Sequence, residues 1–153
     1  MFSIESIMST ELITIRPRDS LAKARALMQK HRIHHLPVVD GAGALVGLLT
    51  ISDLLAATDS VLRDDKDRID ANEICINDVM VTDLATIDEQ TDLRQAALFL
   101  EKHRIGCLPV VSKGVLKGIV TDTDFVAVAI NLLEQLDETE PDDDLEAFDE
   151  QYA

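Results

Sequence analysis

Two seven-residue stretches put the same three groups at the same spacing: Gly47, Thr50 and Asp53 in one, and Gly118, Thr121 and Asp124 in the other. Helix-start amides and a hydroxyl can donate to phosphate oxygens, whereas a carboxylate only accepts and can take both hydroxyls of a ribose cis-diol. The same spacing also describes a plain helix start, with Thr50 and Thr121 ending a strand and Asp53 and Asp124 capping or charge-complementing the next turn. On the residues alone, both readings stand. A second candidate group is basic: Lys30, His31, Arg32, His34 and His35, echoed by Lys102, His103 and Arg104. These cations could hold phosphate, and the lysines equally suit a helix C-terminus, where positive charge meets the carbonyl end of the macrodipole. His34 and His35 lie beyond that helix and are harder to account for in this way. His31, His34 and His35 have no Cys or carboxylate nearby to complete a zinc set, so no metal site is expected.

Other chemistry has little support. No Walker loop, Gly-x-Ser-x-Gly elbow or His-Glu-x-x-His helix is present. Gly41-Ala42-Gly43 lacks the third glycine of a dinucleotide fingerprint and reads as a hairpin turn. The expectation is therefore neither an enzyme nor a cofactor carrier. With 153 residues and 46% hydrophobic content the chain can bury one ordinary core, or two small units sharing one. There is no eighteen-residue apolar run and no basic-then-apolar secretory start, so a soluble, cytoplasmic protein without membrane contact is expected. Cys75 and Cys107 match neither a Cys-x-x-Cys motif nor a disulfide-dense scaffold and read as reduced thiols. A net charge of -15 argues against nucleic acid and anionic lipid. Ten of the 29 acids and none of the 14 bases fall in residues 134–153, which leaves about -5 on the rest. Composition predicts that the tail, residues 137–153, is disordered.

The elements that must position these groups come in two copies. Residues 8–39 match residues 80–111 without a gap at an offset of 72, including Lys30-His31-Arg32-Ile33 with Lys102-His103-Arg104-Ile105 and Leu36-Pro37-Val38-Val39 with Leu108-Pro109-Val110-Val111. The turn at residues 40–43 is one residue longer than its counterpart, and the offset becomes 71 from Gly47 and Gly118 onward. A length change inside a Gly-rich turn is what a structural duplication should show. Each copy reads as a short strand, a helix, two strands joined by a turn, and a second helix. The first helix spans about residues 20–31, with Ser20 as cap and Leu21, Ala24, Leu27 and Met28 on one face; its twin presents Leu93, Ala96, Ala97 and Leu100. The strands fall at 36–39, 45–49, 108–111 and 115–120, and the second helices at about 52–62 and 123–136. The fold class expected is α/β, two β-α-β-β-α repeats packed about a pseudo-two-fold axis. The units are residues 7–62, a charged linker at 63–78, residues 79–136, and a tail at 137–153. Packing two copies in this way creates two equivalent grooves.

Paired Met-x-Thr, Thr-Ile, helix, His-Arg-Ile-x-x-Leu-Pro-Val-Val and Gly-x-x-Thr-x-x-Asp segments resemble a tandem pair of cystathionine β-synthase (CBS) domains, over most of the chain. The resemblance implies an α/β module whose two clefts bind adenosine-containing ligands such as AMP, ADP, ATP or S-adenosylmethionine, often as two modules face to face, hence a homodimer. By that likeness one cleft uses Thr121 for phosphate and Asp124 for ribose, with adenine near Ile13, Ile33 and His34. The other uses Thr50 and Asp53 with Ala85, Ile105 and Gly106. His34 and His35 fall where relatives place phosphate-facing bases; the second copy has Gly106 and Cys107 there, so the clefts should be unequal. No enzyme or transporter segment accompanies the pair in this sequence, so it is expected to regulate a protein partner in trans. The alternative is a structural, docking or dimerisation module with empty clefts. The acidic tail, opposite in charge to the basic cluster, is expected to compete with phosphate for a cleft.

Overall fold

The computed structural model describes residues 3–62, 70 and 72–139. The expected tail beyond Thr139 and half of the expected linker, residues 63–69 and 71, lie outside the described residues. After a single helical turn, α1 (Ile4–Ile7), the first repeat comprises α2 (Leu21–His31), β1 (His35–Val39), β2 (Leu45–Thr50) and α3 (Ile51–Leu62). A 3-10 turn at Ile76–Asp78 precedes the second, built from α4 (Leu93–His103), β3 (Cys107–Ser112), β4 (Val115–Thr121) and α5 (Asp122–Thr139).

Local chemistry sets the helix ends. Ser20 caps α2 by accepting the Lys23 N–H at 3.1 Å, and Asp92 caps α4 by accepting from Arg94 at 3.4 Å. Both helices stop on an arginine in the left-handed region, Arg32 at φ 53° and Arg104 at φ 52°. Their amides return to Met28 and Leu100, closing the last turn with bonds that offset the cost of that conformation for a side-chain-bearing residue. The apolar faces turn inward as the periodicity predicts: Leu21, Ala24 and Met28 are buried on α2, Ala96 and Leu100 on α4.

The strands form two antiparallel hairpins, β1–β2 and β3–β4, and both slip register by one residue at equivalent points, after Val38 and after Val110. The expected first strand of each repeat contracts to a single parallel bridge, Ile15 to Val38 and Ile87 to Val110. The chain turns away at once: Asp19 accepts from the Arg16 amide at 2.9 Å and Pro17 has no N–H to extend a ladder, while Thr91 takes the Asp88 amide at 3.2 Å. The second helices also begin one residue earlier than the sequence pattern indicates. α5 runs three residues past the expected end.

The two repeats exchange their leading segments. Ile4, fully buried, packs in the core of the second repeat with Ala96, Leu108, Val110 and Val120, and Ser9 bridges to Ile119 on β4. Reciprocally Ile76, also fully buried, completes the core of the first repeat with Leu21, Leu36 and Leu49, and Val81 bridges to Leu48 on β2. Ile76 thus belongs to a core, although the sequence pattern places it in the linker. These arms explain the glycines of the repeated motif. A Cβ on Gly118 would lie 3.0 Å from Met8 Cγ and 3.1 Å from the Ser9 carbonyl; one on Gly47 would lie 2.9 Å from Met80 Cγ and 3.2 Å from the Val81 carbonyl. Gly47 and Gly118 therefore give the arms room to cross the strands.

Candidate functional site

Each candidate Thr sits at the last position of a hairpin, and each Asp sits three residues into the helix that follows. Asp53 Oδ2 accepts the Thr50 N–H at 3.0 Å and the Thr50 hydroxyl at 2.8 Å, while the Asp53 N–H donates to Thr50 Oγ1 at 3.2 Å. This is a reciprocal capping box. At the second junction Asp124 Oδ2 accepts the Thr121 N–H at 2.8 Å and its hydroxyl at 3.2 Å. Capping is thus real at both places. It does not exhaust either carboxylate, because only Oδ2 is engaged among the described residues and a carboxylate has about four acceptor sites. The cap holds the group still and leaves Oδ1 available.

The two junctions differ in what they face. A cleft of about 370 Å³ between the repeats is lined by Ile13, Ile33, His34 and His35 from the first repeat and by Thr121 and Asp124 from the second. A larger cleft of about 780 Å³ gathers Ala85, Ile105 and Gly106 with Thr50, and His34 and His35 line it too. Asp53 is not among its lining residues. The structure therefore brings together every candidate of the first cleft and all but Asp53 of the second. Sequence reasoning missed Glu11 and Leu12 in the first cleft and Asp83 and Leu84 in the second. Their signal was present: both pairs recur at the offset of 72. Asp122, at the first cleft, had no such signal, since its counterpart in the first repeat is Ile51.

The asymmetry centres on His35. A Cβ on Gly106 would lie 3.0 Å from His35 Nε2 and 3.3 Å from Cε1, so the absence of a side chain at 106 is what lets the ring settle there. Burial holds the His35 pKa below its ordinary value; the Asp122 carboxylate opposes that shift and His34 reinforces it. Near neutral pH the ring is uncharged. Cys107, the counterpart of His35, is buried, and burial with the nearby Asp122 charge pushes its thiol up to about 12. Such a thiol is no nucleophile at pH 7. Both cysteines are free, and among the described residues no group of three His, Cys, Asp or Glu side chains could hold a metal ion. No described helix is long and apolar enough to cross a membrane.

Comparison with known proteins gives this arrangement a family. The CBS domain matches twice, over residues 4–60 and 76–131, starting at Ile4 and Ile76, the two arm residues that enter the opposite cores. A CBS domain-containing protein of Dictyostelium discoideum is 33% identical over 135 residues, covering 86% of this chain and 93% of that protein. A Vibrio cholerae structure assigned to acetoin utilization (AcuB) is 41% identical, with a TM-score of 0.77 over 92% of this chain and 99% of that one. The CBS domain pair of MJ0100, solved in complex with 5′-methylthioadenosine and S-adenosylmethionine, is 28% identical with a TM-score of 0.74, covering 86% of this chain and 98% of that one. CBSX2, solved in complex with AMP, has the same TM-score of 0.74 at 26% identity, covering 86% and 98%. With two copies of the motif, reciprocal arms and paired clefts, the chain belongs to the CBS-domain family as a tandem pair.

Proposed function

We propose that this CBS pair is a regulatory sensor that binds adenosine-containing ligands (AMP, ADP, ATP or S-adenosylmethionine) in its inter-repeat clefts and acts in trans on a protein partner. One observation carries the reading: a hollow of about 370 Å³ collects Ile13, Ile33 and His34 from one repeat with Thr121 and Asp124 from the other. That size lies within the range of small-molecule sites, about 300–1,000 Å³. The chemistry matches a nucleoside, with two apolar flanks for a base, a fixed carboxylate for the ribose diol, and a hydroxyl at a helix start for a phosphate. The adenosine ligands held by the MJ0100 pair and by CBSX2 support the same choice. In the second cleft Thr50, Ala85, Ile105 and Gly106 are assigned equivalent parts, with Asp53 contributing from the edge.

The direct test is a thermal-shift panel of adenine and guanine nucleotides, S-adenosylmethionine and NAD. A ligand at 100 times its dissociation constant should stabilise the fold by about 2.7 kcal/mol, roughly 5–10 °C for a chain of this size. Stabilisation by adenosine compounds and not by guanine nucleotides supports the reading. A flat response across the panel would favour a docking or dimerisation module with empty clefts.

The reading includes a homodimer in the cytoplasm, without nucleic-acid or membrane contact. α5 has no buried residue and exposes Val126, Ile130 and Leu133, 53–60% accessible, along one stripe. An apolar stripe of this kind is costly to leave in water and suits a second copy. Light scattering should return about twice the chain mass of 16.9 kDa; a monomer at tens of micromolar would remove the dimer from the proposal.

A further inference from the structure

His34 and His35 are the two residues that line both clefts. His34 is exposed, so solvent and salt screen the electrostatic contacts it can make. His35 is half-buried and spans the boundary between the repeats. Its backbone pairs with Thr50, the hydroxyl residue of the second cleft, across the β1–β2 ladder. Its ring rests against Gly106 of the other repeat, close to where Asp122 begins α5 beside the first cleft. The duplication does not supply a second such group: the counterparts of His34 and His35 are Gly106 and Cys107, which line the second cleft and not the first. Each cleft has an arginine of its own, Arg32 in the first and Arg104 in the second. The half-buried imidazole is held in common.

We propose that His35 couples the two clefts negatively, so that a phosphate bound in one captures the imidazolium and weakens binding of a second phosphate-bearing ligand in the other. This rests on the nucleotide reading above and names the rule by which the two sites communicate. The resting ring is neutral, acted on by the Asp122 carboxylate from α5 and by His34, the residue just before its own strand, while the buried Cys107 thiol of β3 lines the second cleft with it and is uncharged. An arriving phosphate supplies the negative charge that draws a proton onto it. The imidazolium has two N–H donors but a single positive charge, and once that charge is paired with one phosphate it is neutralised for the other side. A ligand without phosphate recruits no proton and leaves His35 as it was. Coupling should therefore follow ligand charge, not cleft occupancy.

The test uses AMP and adenosine as probes, titrated calorimetrically into the full chain and into Asp124→Ala, which disables the first cleft. The second-cleft dissociation constant for AMP is expected to tighten at least about 5-fold in Asp124→Ala, at the lower end of ordinary coupling between sites. The value for adenosine should not move. Adding His35→Gln to both backgrounds should make the two AMP values equal. Equal AMP values in the unmodified chain and Asp124→Ala, an identical change with adenosine, or coupling that survives His35→Gln would each overturn the proposal. The comparison of AMP with adenosine needs no His35 variant, so the idea stays testable if that variant does not fold. If neither probe binds any form of the chain, the nucleotide reading itself fails, and the coupling with it.

Discussion

Asp124→Ala is expected to raise the dissociation constant for AMP in the first cleft about 100-fold while costing the fold only about 1 kcal/mol. The two effects come from different oxygens. Oδ2 accepts from the Thr121 N–H at 2.8 Å, and losing such a cap costs about 0.5–2 kcal/mol, a few degrees of melting temperature here. Oδ1 is left for ligand. Two hydrogen bonds from a ribose diol to an ionised acceptor contribute about 1.5–3 kcal/mol each, and losing about 3 kcal/mol is roughly a 100-fold change in affinity. Asp124→Asn separates the roles. Its amide oxygen can still take the Thr121 N–H, so stability should recover, but one neutral acceptor cannot replace the carboxylate at the diol, so affinity should stay at least about 10-fold weak. Asp53→Ala should show the reverse weighting. Asp53 is tied into a reciprocal box with Thr50 and does not line its cleft, so stability falls and affinity changes less. Calorimetric titration beside thermal melting decides between them; wild-type affinity in both Asp124 variants would remove the ribose assignment and leave a helix cap.

Ile4→Ala should lower the unfolding free energy by about 2–4 kcal/mol. Ile4 is fully buried among Leu108, Val110 and Val120 of the opposite repeat. Truncation removes the transferred methyl groups and leaves a cavity that strand residues on a hydrogen-bonded ladder cannot collapse to fill. Ile76→Ala should cost a similar amount for the equivalent reason in the first repeat. Because each arm is covalently part of one repeat and packed in the other, either change should destabilise both repeats together. Urea unfolding is expected to shift its midpoint with an unchanged slope and a single transition. An Ile4→Ala midpoint within about 0.5 kcal/mol of wild type would mean the arm frays, contrary to the packing described.

Much of this was legible before any coordinates. The 72-residue offset, the inward faces of α2 and α4, the two hairpins and the Thr–Asp pairs are all local patterns. Each is written within a few residues, as a helical or alternating period or as a cap three residues from its partner, so the sequence carries it directly. The unequal clefts were legible too, because Gly106 and Cys107 stand where His34 and His35 stand in the first copy.

Tertiary structure alone decided the rest. It sent Ile4 and Met8 across to Leu108 and Gly118, and Ile76 and Met80 back to Leu36 and Gly47. It also turned Asp124 into a cleft while leaving Asp53, tied to its own helix start, outside the lining of the other, and it laid His34 and His35 along the wall of both clefts. None of these follows from a period or a spacing. They depend on which surfaces remain uncovered after each repeat has formed, and on contacts between residues far apart in the chain, whose geometry exists only once the two copies pack together.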